Sequence, residues 1–112
     1  MDKKVALHRL RSLVVNGEPL ARSRYVEQID GKTCYCAVGH LMKECGIDLT
    51  PIAEQPELNE MEIIFDEFKE IRATLEQYGF TYYELKEIQF YNDVSDYEGM
   101  LRFIDKLLVP IG

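Results

Sequence analysis

The chain has 112 residues, of which 46% are hydrophobic and 29% charged, and it carries a net charge of −7 at pH 7. This length and balance predict one soluble globular domain spanning residues 1–112, and they exclude a disordered tail or a membrane-spanning protein. The chain has three cysteines, an odd number, and its N-terminus has no apolar signal segment. These two features predict reduced thiols and a cytoplasmic location.

The charge is distributed unevenly along the chain. Residues 1–24 contain six basic and two acidic side chains, whereas residues 25–112 contain seven basic and eighteen acidic ones. Because an acidic body repels phosphate, we expect no direct binding to nucleic acid. We expect the basic first helix, with Lys3, Lys4, Arg9 and Arg11, to lie against the protein's own acidic helix. The alternative is that it contacts phosphate or an acidic partner.

The first half of the chain predicts a helix, a hairpin and a second helix. Apolar residues spaced by threes and fours predict a helix over residues 3–15. Residues 25–35 are typical of a short β-hairpin, with Asp30 and Gly31 as its two-residue turn. A second helix is predicted over residues 36–45.

The second half predicts a loop at Thr50-Pro51 and then three more helices. The strongest apolar periodicity predicts a third helix over residues 57–78. A Ser or Thr followed three residues later by Glu predicts the start of each of the last two helices, at Thr81-Glu84 and Ser95-Glu98. The fold class is therefore predicted as mainly α, a compact bundle of about five helices with a short β-hairpin before the second helix.

All three cysteines and one of the two histidines lie within residues 33–46. Cys34, Cys36 and His40 are candidate metal ligands, because thiolate and imidazole are the donors that zinc prefers and Cys36 and His40 share one face of the second helix. A fourth ligand would have to come from His8 or an acidic residue. The spacing differs from the usual two pairs of ligands, so we expect neither a metal nor another cofactor.

A second interpretation of this segment is nucleophilic catalysis. Cys36 is predicted at a helix N-terminus, where the helix dipole lowers the pKa of a thiol. His40, one turn later, is the candidate base, and Asn92 or Asp93 the group that orients it. A third interpretation is packing alone, since buried cysteine is normally inert and Gly39 indicates close approach by another element.

Several short motifs, in this order, resemble a group of small bacterial and phage domains of unknown function. They are Glu18-Pro19-Leu20, then a hairpin, then Cys36-Ala37-Val38-Gly39 opening a helix, and finally Tyr91-Asn92-Asp93 before a last amphipathic helix. The resemblance implies that Cys36, Gly39, Asn92 and Asp93 serve a shared fold or a shared site. It implies no established activity.

The functional hypothesis that we favour is a small acidic, non-catalytic accessory or regulatory protein that binds a host or phage protein. Residues 54–76 contain eight acidic and two basic side chains, so the third predicted helix presents a negative surface. Such a surface can occupy the basic site of a nucleic-acid enzyme and inhibit it. The alternative is a small enzyme or ligand-binding domain that uses Cys36 with Asn92 and Asp93. The candidate binding residues are Asn92, Asp93, Glu60, Asp66, Glu67 and Glu70.

Overall fold

The computed structural model describes residues 3–21, 25–53 and 61–109, and in these ranges it contains seven helices and one two-stranded antiparallel sheet. The predicted fold class, mainly α with a hairpin before the second helix, is confirmed. The elements in chain order are α1 Lys3–Val15, β1 Val26–Ile29, β2 Lys32–Tyr35, α2 Ala37–Glu44, α3 Thr50–Ala53, α4 Met61–Glu67, α5 Lys69–Gln77, α6 Tyr82–Asp93 and α7 Tyr97–Leu108.

The hairpin forms as the sequence predicts. β1 and β2 pair in register from Val26 opposite Tyr35 to Ile29 opposite Lys32. Asp30 and Gly31 both adopt the left-handed conformation, with φ of 52° and 75°, which a type I′ turn requires at its two central positions. The twist of this turn matches the twist of the strands. Only one residue separates the end of β2 from the start of α2, so the hairpin leads directly into that helix.

Two predicted boundaries are wrong. The predicted loop at Thr50-Pro51 contains the one-turn helix α3, in which a first-turn proline is tolerated because its missing N–H would have no partner there. The predicted helix over 57–78 is broken at Phe68, where φ −113° and ψ 74° leave the helical region between α4 and α5. No glycine or proline lies at the break. The predicted start of this helix, at 57–60, lies outside the described residues.

The start of the last helix was also predicted incorrectly. Asp96, not Ser95, caps α7, because the Asp96 carboxylate accepts a hydrogen bond of 2.9 Å from the Gly99 N–H. Ser95 instead has φ 57° and closes α6, taking the left-handed position that glycine usually holds at the end of a helix. The Asp96 N–H completes this ending by donating to the Tyr91 carbonyl at 2.9 Å. The capping box at Thr81 and Glu84 is confirmed.

Three of the four Lys and Arg side chains of α1 are paired with carboxylates of three other helices. Lys3 lies 2.6 Å from Glu84 of α6, Arg9 lies 3.4 Å from Glu44 of α2, and Arg11 lies 2.7 Å from Asp105 of α7. The expectation of contact with acidic side chains of the same fold holds for these three residues, but the carboxylates come from α2, α6 and α7 and not from the acidic stretch of α4 and α5. The positive charge of α1 is therefore used mainly within the fold.

The core is built around α2, which packs against α1, α6 and β2. Gly39 lies in its buried face, and a Cβ atom there would fall 2.4 Å from the Tyr25 carbonyl oxygen, far inside van der Waals contact. Glycine therefore allows the strand and the helix to approach each other. The buried side chains of α2 are Ala37, Val38, Leu41 and Met42, and those of its neighbours include Leu7, Leu10, Leu85 and Ile88.

We predict that Gly39→Ala lowers the thermal stability. Alanine would add about 1 kcal/mol of helix propensity, but the overlap with the Tyr25 carbonyl forces backbone movement that should cost about 1–3 kcal/mol net. Thermal unfolding followed by circular dichroism measures the change, with Ser12→Ala on the exposed face of α1 as the control. An unchanged or raised melting temperature for Gly39→Ala would contradict the close approach.

Candidate functional site

The start of α2 brings together three of the candidate residues: Cys36, Asn92 and Asp93. Cys36 is the N-cap of α2, and its Sγ accepts a hydrogen bond of 3.2 Å from the Gly39 N–H. The Cys36 N–H donates to the Tyr25 carbonyl at 3.1 Å. This second bond continues the contact that Gly39 makes possible, so the end of the hairpin and the first turn of α2 form one unit.

Asn92, in the last turn of α6, is fully buried. Its Oδ1 accepts a hydrogen bond of 2.8 Å from the Ala37 N–H, and its Nδ2 donates one of 2.8 Å to the Ala21 carbonyl. One side chain therefore links α6, the first turn of α2 and the chain that precedes the hairpin. Both ends of the amide are engaged inside the protein, so a ligand or partner cannot contact this group without displacing the fold.

The Cys36 thiol ionises less readily than an ordinary thiol, whereas its position at a helix start predicts that it ionises more readily. Burial raises its pKa to about 12, because the charged form loses its hydration. Hydrogen bonds from the Gly39 and Val38 N–H groups lower the pKa, and the nearby Asp93 carboxylate raises it further. Desolvation is the largest of these effects, so the prediction of a lowered pKa is wrong.

His40 does not complete a catalytic pair. Its ring packs edge-on against Tyr35, with ring centroids 5.3 Å apart, and it is half-buried. Burial is the main reason that its pKa is lowered, and the neighbouring Lys43 lowers it further. The group bonded to Cys36 is the His40 backbone N–H, which donates to the Cys36 carbonyl at 2.9 Å.

The candidate metal ligands do not form a coordination site. Cys34 is buried on β2, while His8 lies on the exposed side of α1. Within residues 3–21, 25–53 and 61–109, no three His, Cys, Asp or Glu side chains group closely enough to hold a metal ion. Cys45 lies at the other end of α2, and burial raises its pKa to about 11.

The first turn of α2 is also closed to anions. A helix start can bind an anion because its first N–H groups lack partners within the helix. Here the Ala37 N–H bonds Asn92, and the Gly39 N–H bonds the Cys36 sulfur. With these donors engaged inside the protein, the convergence of Cys36, Asn92 and Asp93 is a structural junction and supplies neither an activated nucleophile nor an anion site.

A different concave surface lies on the acidic side of the molecule. We call it the α4–α5 groove; its volume is about 540 Å³. The charged groups among the described residues that line it are Asp48 on one side and Glu67, Lys69 and Glu70 on the other. The other described residues that line it are Gly46, Ile47, Pro51, Phe68, Ile71 and Thr74.

Two of the predicted binding residues, Glu67 and Glu70, therefore line a groove, and Asp66 is exposed beside them. Glu60 lies outside the described residues. The prediction missed Asp48, which the Thr50 N–H and hydroxyl hold at 3.0 and 2.7 Å, and these bonds lower the pKa of its carboxyl. The Asp-x-Thr-Pro pattern could have indicated this helix start, but nothing local indicates the groove.

No known protein family, no curated protein and no solved structure matches this chain. In the part of the chain that the structure describes, no helix is long and apolar enough to cross a lipid bilayer.

We predict that Asn92→Ala strongly destabilises the protein. It leaves the buried Ala37 N–H and Ala21 carbonyl without their partner, which should cost about 2–4 kcal/mol in the free energy of unfolding. Urea unfolding measures the loss. Gln77→Ala, which removes an exposed amide at the end of α5, is the control and should cost less than about 1 kcal/mol. Equal effects of the two changes would show that the buried amide is not the critical group.

We also predict that Cys36 does not react with thiol reagents in the native protein, because a buried thiol with a pKa of about 12 is almost entirely protonated at neutral pH. The folded-state pKa lies above the unfolded value. The contribution of the neutral Cys36 thiol to the free energy of unfolding is therefore complete below pH 9 and is lost as the pH rises above it. The stability of wild type relative to Cys36→Ser should fall by about 1 kcal/mol between pH 8 and 10. Rapid labelling of Cys36 at neutral pH would contradict this assignment. So would a difference in stability between wild type and Cys36→Ser that stays constant from about pH 8 to 10.

Proposed function

We propose that this protein is a small acidic, non-catalytic accessory or regulatory protein that acts by binding another protein through the face formed by α4 and α5. One observation carries the proposal. Asp66, Glu67 and Glu70 are exposed on this face, and within the described residues none of the three is in an ion pair. Other carboxylates of the fold, such as Glu84 and Asp105, are paired with Lys3 and Arg11.

The chemistry of this face favours a basic partner. Unpaired carboxylates attract positive charge over a distance, raise the rate of encounter and select against acidic surfaces. A basic site on a nucleic-acid enzyme, encoded by a host or a phage, has the required charge, and occupation of that site by carboxylates would exclude the phosphate backbone. This inhibitory role is the specific form of the function that we propose.

The enzymatic alternative receives less support from the site. Cys36 and Asn92 do converge, as that alternative requires, but the thiol is buried with a raised pKa and the amide is engaged at both ends. A nucleophile needs an accessible, ionised thiol and a base within reach. The same residues, used as a packed junction, are those expected of a scaffold that presents a binding face.

The proposal predicts that reversing charge on this face abolishes partner binding. Glu67→Lys with Glu70→Lys changes two exposed carboxylates, and Glu87→Lys with Glu98→Lys makes the same change in net charge on α6 and α7. Each protein is immobilised and incubated with bacterial lysate at low and high salt, and the retained proteins are identified by mass spectrometry. We expect a basic protein that wild type and the control pair retain at low salt, and that the α4–α5 pair loses.

Three results would contradict the proposal. The first is that wild type retains no specific protein. The second is a partner whose binding is unaffected by salt, because exposed ion pairs weaken as salt screens them. The third is an equal loss of partner binding in both double variants, which would show that binding depends on overall charge and not on the α4–α5 face.

A further inference from the structure

The α4–α5 groove exists because the chain breaks at Phe68. Five consecutive residues that span the break, from Glu67 to Ile71, line one side of it, and the turn from α2 to α3 lines the other with residues that include Ile47 and Asp48. A continuous helix would present these five residues around its whole circumference. The non-helical backbone at Phe68 instead brings them to one concavity.

The volume of the groove suits several side chains of a ligand. At about 540 Å³ it lies within the range of about 300–1,000 Å³ that is usual for ligand sites in proteins. Phe68 and Ile47 are half-buried and Pro51 is exposed, so the groove offers apolar surface that the fold does not fully cover. An apolar side chain of a partner would gain free energy by covering it.

The charges around this apolar surface indicate which charges a bound segment must carry. Among the described residues that line it, Asp48 stands on one side and Glu67 and Glu70 on the other, with Lys69 as their one cation. The Asp48 carboxyl has a lowered pKa because Thr50 donates to it, so it stays ionised at neutral pH. A segment with an apolar residue between basic residues would match both features, whereas an acidic or purely apolar segment would leave the carboxylates unpaired.

We propose that the α4–α5 groove binds a short basic peptide segment of the partner protein. An apolar side chain of the segment packs on Phe68 and Ile47, and the flanking Lys or Arg side chains pair with Asp48, Glu67 and Glu70. This inference rests on the proposed function and adds the chemistry of the partner.

The test uses heptapeptides in which lysine alternates with leucine or phenylalanine, added to isotopically labelled protein and followed by NMR. Two control peptides replace either every apolar residue by serine or every lysine by glutamate. We expect the first peptide to shift the amide signals of residues 46–48 and 67–71. Its affinity should exceed that of either control by about tenfold or more.

Two protein variants locate the binding. Thr74→Phe places a large side chain in the groove without changing its charge, while Ala73→Phe makes the same addition to α5 at an exposed position that does not line the groove. The peptide should bind Thr74→Phe about tenfold more weakly and Ala73→Phe as it binds wild type. Circular dichroism of both variants verifies that each is folded before binding is measured.

Four results would overturn the groove as the site. These are no binding of the first peptide, equal binding of the serine control, signal shifts confined to other surfaces, and equal binding by the two variants. Dimerisation on concentration, with the groove signals broadened in the absence of peptide, would assign the groove to a second copy and also overturn the inference. A partner retained through Glu67 and Glu70 in the lysate experiment would, in each of these cases, leave the proposed function standing.

Discussion

The two hydrogen bonds of the Asn92 side chain hold together the elements on which the rest of the fold depends. They join the end of α6 to the first turn of α2 and to the Ala21 carbonyl, in the interior of the protein. Because an unpaired buried amide or carbonyl is costly, each bond requires the other segments to be in place. Gly39 serves the same arrangement from the other side, where its missing Cβ lets the Tyr25 carbonyl reach the Cys36 N–H.

The same saturation of hydrogen bonds determines what this junction can do chemically. The groups that could serve a reaction are engaged: the Cys36 sulfur accepts backbone N–H groups, and the N–H of Ala37 bonds Asn92. A site that binds a substrate needs donors or acceptors left open to it, and a nucleophilic thiol needs enough hydration or positive charge to ionise. The junction therefore stabilises the fold, and under the proposed function recognition would fall to the surface.

The sequence predicts those parts of the fold that neighbouring residues decide. The Asp30-Gly31 turn and the Thr81-Glu84 capping box form as predicted because their partners lie within a few residues. Predictions fail where distant packing decides. The burial that raises the pKa of Cys36 comes from elements far along the chain, and Phe68 breaks a helix whose apolar spacing continues across it. The α4–α5 groove follows from that break, so its acidic residues were predictable and its shape was not.

The distribution of charge explains why recognition would fall on one face. Three cations of α1 are paired with Glu44, Glu84 and Asp105 and none of these with α4 or α5, where acidic charge is in excess. Attraction between exposed charges reaches about 8 Å at physiological salt, so it accelerates encounter but gives modest affinity and little discrimination among basic proteins. Apolar contact with Phe68 and Ile47 depends on shape and is far less sensitive to salt. Under the proposed function, selectivity among basic partners would therefore come from the groove, while the surrounding carboxylates would govern the rate and salt dependence of encounter.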